Sequence, residues 1–135
     1  MSISSNVISN EIHLQCEYEG KSYRNDIEDA NLKGSDIFTI NEKKQTIYSD
    51  EGGGLCNMTK AFGIFKEYTL IDKKNIYHQC KVSNIKNLNY EYYEEVLRIN
   101  RISGVYSATT NSILKDGAKI WYGLKGLCNK TDAKF

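Results

Sequence analysis

Four cysteines (Cys16, Cys56, Cys80, Cys128) and two histidines (His13, His78) are the side chains of this 135-residue chain best suited to redox, metal or nucleophilic chemistry. An even number of cysteines in a small β-rich chain suits a disulfide framework in an oxidising compartment, and this is the leading expectation. The letters do not choose among the three possible pairings. Cys16, Cys80 and Cys128 run in phase with apolar neighbours, which equally suits buried reduced thiols. Zinc is the sharper alternative, because His13-x-x-Cys16 and His78-x-Cys80 supply nitrogen and sulfur ligands. The spacing argues against it. Residues three apart on a strand face opposite ways, and no CxxC knuckle is present. No metal and no cofactor is assigned.

A Ser/His or Cys/His nucleophile pair would have to use His13 or His78. His78 and Cys80 share one strand face, but that face is apolar and points inward. The chain has no P-loop, HExxH or GxSxG pattern, and the glycines at 52–54 are not followed by the lysine that a phosphate loop needs. Asp50-Glu51 and Glu94-Glu95 are adjacent carboxylates. On strands they would face opposite ways, so they read as charged surface and not as an acid/base pair. No catalytic residue is assigned, and the chain is expected not to be an enzyme.

Candidate binding residues come from the aromatics and arginines. Tyr92 and Tyr93 cluster before a long apolar alternation that carries Arg98 and Arg101, and Trp121 is out of phase with the apolar face of the last strand. Exposed aromatics often form contact patches, and arginines recognise anions. In LRINRISGVYSATT the apolar phase slips by one residue near Asn100 and Arg101. That is the mark of a β-bulge, and Gly104 of a bend or a close backbone approach. The expectation is one long, bent strand, with Arg101 partly inside and paired with a carboxylate or backbone carbonyls.

These residues must be positioned by strands. Ile12, Leu14, Cys16 and Tyr18 alternate with polar residues, and Gly20-Lys21 reads as the turn that follows. DIFTINEKKQTIYSD and FGIFKEYTLIDKKNIYHQCKVS read as hairpins, with turns at NEKK and DKK. EGGGL is expected to be irregular. The stretch 89–96 suits one helical turn. Lys115-Asp116-Gly117 reads as a turn before a last strand carrying Ala118, Ile120, Tyr122, Leu124 and Cys128 in phase. The sum is an all-β fold of about seven or eight strands, a single small antiparallel barrel or a two-sheet sandwich.

Residues 1–10, polar and without a charged-then-apolar leader, are expected to be a flexible N-terminal segment, and 11–135 one all-β domain. Net charge is +1 and no apolar run reaches 18 residues, so neither nucleic acid nor membrane insertion is expected. The ten tyrosines and the absence of proline suit pleated, half-buried surfaces.

The pattern INRISG (99–104) followed by GLC (126–128) and a polar tail ending in KF is similar to the C-terminal half of many short, exported bacterial proteins of unknown function. The cysteine-bearing strand LQCEYEG and the hairpins FTINEKKQTIY and TLIDKKNIY extend the resemblance. It implies an exported all-β module, periplasmic or secreted. Reduced cysteines would instead suit the cytoplasm. With catalytic constellations missing, the leading expectation is a non-enzymatic module that engages a protein partner. The alternatives are a lipocalin-like carrier with a ligand inside a barrel, and a phage- or virus-encoded inhibitor of a host protein.

Overall fold

The computed structural model describes residues 11–49, 56 and 59–131. The expectations for residues 1–10 and for EGGGL lie outside them. Eight strands run in order: β1 (Glu11–Arg24), β2 (Ile27–Asn41), β3 (Thr46–Ser49), β4 (Ile64–Ile71), β5 (Asn75–Ser83), β6 (Tyr90–Asn100), β7 (Val105–Leu114) and β8 (Lys119–Lys130). One turn of 3-10 helix, Lys60–Phe62, precedes β4.

All the strands belong to one antiparallel sheet, in the order β3-β2-β1-β8-β7-β6-β5-β4. Read as a ring, this is the chain order itself, with the first strand paired to the last. The fold is therefore a nearly closed up-and-down barrel, and among the described residues the remaining gap lies between β3 and β4. Period-two patterning produces it directly. Leu97 and Ile99 on β6, Tyr106 and Ala108 on β7, and Ile76 and Cys80 on β5 point inward, with polar residues between them.

The interior has two apolar parts. The larger gathers Leu14, Phe38, Ile40, Ile76, Leu97 and Ile99, among others, towards one end. The smaller holds Cys56, Cys80, Val82, Ile85 and Tyr93 towards the other. Two disulfides are present, Cys16–Cys128 and Cys56–Cys80. Cys16 and Cys128 are register partners on β1 and β8, so their bond clasps the first strand to the last.

Three local expectations are corrected. Gly20-Lys21 is not a turn. The strand β1 runs on to Arg24, and Asn25 and Asp26, both at positive φ (50° and 67°), make the two-residue turn. Asparagine and aspartate tolerate that region because their short polar side chains bond locally. Residues 89–96 contain no helical turn, because β6 begins at Tyr90 and pairs with β5 and β7. The bent strand at 97–106 is a hairpin. Asn100 Oδ1 accepts hydrogen bonds from the N–H groups of Ile102 and Ser103, both at 2.9 Å, and folds the chain back on itself. The apparent phase slip is this turn. Gly104 (φ +79°) is the close approach: an added Cβ would lie 2.6 Å from the Cys128 carbonyl oxygen.

Candidate functional site: a lumen behind an incompletely laced seam

No ladder joins β3 to β4 among the described residues. One end of this seam is closed by side chains instead. The Gln45 amide copies a β-bridge, accepting from the Ile71 N–H at 2.7 Å and donating to the Ile71 carbonyl at 2.9 Å. Beside it, Arg101 donates to Glu42 Oε1 at 2.6 Å and to the Asp72 carbonyl, which ties the β2–β3, β4–β5 and β6–β7 turns together. Arg101 thus has the carboxylate and carbonyl partners its sequence context suggested, in a turn and not within a strand.

Towards the other end the seam opens into a cavity of about 450 Å³. Its walls are Phe38, Ile47, Phe65 and Leu97, together with the Cys56–Cys80 disulfide. Its polar lining includes Ser49, Lys60, Glu67, His78 and Glu95. On β4 and β6 the lining follows from strand parity: Phe65 and Glu67 share the inward face of β4 with Ile71, and Glu95 shares that of β6 with Tyr93 and Leu97.

His78 is half-buried and satisfied. Its Nδ1 lies 2.8 Å from Thr69 Oγ1 and its Nε2 lies 3.6 Å from Glu67 Oε2. Burial lowers its pKa, and the Glu67 charge opposes the shift only in part. Glu95 sits deeper. Burial holds its carboxyl above the ordinary range, a hydrogen bond from the Tyr93 hydroxyl at 3.2 Å works against this, and the nearby Asp36 charge adds to it. Asp36 is itself held, accepting from Ser49 Oγ at 2.6 Å. Further tyrosines surround the acid. Burial raises the pKa of Tyr106 and Tyr122, and the Glu95 charge adds to both shifts. A polar belt of hydroxyls and acids therefore lies between the two apolar parts of the interior.

The Cys56 and Cys80 sulfurs and a Glu95 oxygen lie within 4.8 Å of one another, a metal-like grouping. Both sulfurs are already bonded to each other, so the trio offers no thiolates. The same bond removes Cys80 as a nucleophile partner for His78. The proposed zinc pairs are also dissolved: the Cys16 sulfur is bonded to Cys128, and His13 Nδ1 lies 3.1 Å from Thr39 Oγ1.

The five candidate binding residues do not converge. Tyr93 is buried and touches the lumen's acid. Arg101 laces the seam. Arg98 is on the outer face, its guanidinium 5.3 Å from the Tyr77 ring centre. Tyr92 is on the outer side of β6, next to the inward Tyr93. Trp121 is stacked on Tyr23 at 4.1 Å across the β1–β8 pair. Sequence reasoning passed over Phe65 and Glu67, and its reading of Glu95 as charged surface is corrected, because Glu95 is on the inward phase of β6 and lines the cavity. Their signal was parity: each falls on the inward phase of a strand whose other phase is also partly apolar or charged.

No described helix is long and apolar enough to cross a membrane. In comparisons with known proteins, no family model, no curated protein and no solved structure matches the chain.

Proposed function

We propose that this protein is a non-enzymatic binding module that holds a small ligand in the barrel lumen, entered through the open end of the β3–β4 seam. The observation that carries this is the cavity of about 450 Å³. Its size and its mix of apolar walls with a few convergent polar groups are those of small-molecule sites. The two disulfides support a place outside the cytoplasm, periplasmic or secreted. A neutral apolar fluorophore, N-phenyl-1-naphthylamine, tests the lumen. Saturable one-to-one binding is expected, and Ile47→Trp, which fills the cavity, should abolish it while the circular dichroism spectrum is kept. Equal binding by the filled variant would refute the site.

A second reading keeps the protein partner. As the sheet's terminal strand, β4 has one edge without a ladder among the described residues, and on its outer face Ile64, Tyr68 and Leu70 are 52, 55 and 47% exposed. An exposed apolar edge is a template for strand addition by an extended segment of another protein. A photo-crosslinker at Tyr68 or Leu70, in the cells that make the protein, should capture one specific protein. The same probe at Trp121 should not. Identical capture at all three positions would remove this reading.

A further inference from the structure

Glu95 is the deepest acid bordering the lumen, and among the described residues no lysine, arginine or histidine lies within ion-pairing distance of it. Its one hydrogen-bond partner among them is the Tyr93 hydroxyl, at 3.2 Å. Two further carboxylates stand close by: Asp36, near enough to repel it, and Glu67, which lines the same cavity. The opposing groups are few. His78 is kept towards its neutral form by burial. Lys60 is exposed at the rim. Its ammonium lies 5.9 Å from the Phe65 ring centre, so this ring already presents its face to a cation. The lumen therefore combines an excess of carboxylate with aromatic and aliphatic walls.

A buried acid without a cationic partner is expensive, and a ligand that brings the missing charge relieves that cost. We propose that the lumen selects an organic ammonium ion, a compact aryl- or alkylamine. Its cationic nitrogen would donate to Glu95, and its apolar body would lie against Phe38, Phe65 and Leu97. This rests on the lumen being a ligand site, and names the ligand's chemistry.

Three probes of one shape separate the possibilities: 2-phenylethylamine, 2-phenylethanol and 3-phenylpropionate. Each is titrated calorimetrically at neutral pH, alongside displacement of N-phenyl-1-naphthylamine. The amine should bind about tenfold or more tighter than the alcohol, and the carboxylate weakest. Glu95→Gln should remove the amine's advantage, bringing the ratio of the amine's affinity to the alcohol's to about one. If the fluorophore binds but the amine shows no advantage, or Glu95→Gln leaves that advantage intact, the charge assignment is wrong and the lumen still holds neutral ligands. If neither the fluorophore nor any of the three binds, the ligand site itself is refuted, and the charge assignment with it.

Discussion

Where β1 meets β8, register partners run without a break from Leu14–Lys130 to Arg24–Ile120, and one of them, Cys16–Cys128, is a disulfide. The backbones also pass very close: a Cβ on Gly126 would fall 1.8 Å from the Glu17 carbonyl oxygen. Where β3 meets β4, no ladder forms among the described residues, and one glutamine and one arginine do the closing from a single end. The unbroken ladder and the covalent bond are thus both at the seam that joins the first strand to the last. The cavity is bordered instead by β3 and β4, through Ile47 and Ser49 on one side and Phe65 and Glu67 on the other.

This contrast predicts a ranking of damage. The Cys16–Cys128 bond closes a loop spanning a sequence separation of 112, whereas Cys56–Cys80 spans 24. In the chain-entropy account the first is worth about 5 kcal/mol and the second about 3.5 kcal/mol. Cys16→Ala with Cys128→Ala should therefore lower the urea midpoint most, and fluorophore binding should be lost along with the fold. Cys56→Ala with Cys80→Ala should cost less in stability. Equal losses for the two pairs would mean that the clasp is not what defines the barrel.

The next effects come from the laced end of the open seam. Gln45→Ala strips partners from both backbone groups of the buried Ile71, and should cost about 1–3 kcal/mol. Arg101→Ala breaks a pair whose partner Glu42 is 42% exposed, so solvent screening holds the loss to about 1 kcal/mol. Both variants should speed fluorophore entry in stopped-flow measurements, because both loosen the same seam. Unchanged entry rates alongside the expected stability losses would show that entry does not run through β3 and β4.

Much of this fold was legible in the letters. The alternation at Ile12 to Tyr18, at Ile76 to Val82 and at Ala118 to Leu124 pointed to an all-β chain of about seven or eight strands, and NEKK, DKK and KDG marked turns between them. Two of the three misreadings share one cause. Asn25-Asp26 and Asn100 build turns from side chains that bond to backbone or adopt positive φ, and such turns carry no glycine or proline at the expected place. The lumen was less visible still. Glu95 and Glu67 look like surface charges, because burial of an acid depends on strand parity combined with ring closure. Arg101 could be paired with "a carboxylate" from its context alone, but Glu42, 59 residues away, is chosen only by the fold.

The smallest expected effect separates the two acid–base groups of the lumen by sign. Glu95 in the folded chain holds its proton to higher pH than the ordinary carboxyl value of 4.5. Below that value folded and unfolded chains are both protonated, and the residue is neutral in the balance. As pH rises past it, the unfolded chain ionises first, so stability falls until the folded Glu95 also ionises, and the penalty then stays constant. His78 runs the other way, since its folded pKa lies below the ordinary 6.5. Its contribution is intact above 6.5, and is lost as acidification takes the pH down through the folded value. Glu95→Gln removes only the Glu95 contribution. In urea titrations between pH 4 and 8, this variant should be more stable than the parent chain at neutral pH, and the gap should close towards pH 4. A gap that stays flat across the range would mean that Glu95 is solvated like a surface acid, and the contrast between a sealed seam and a desolvated lumen behind an open one would lose its electrostatic half.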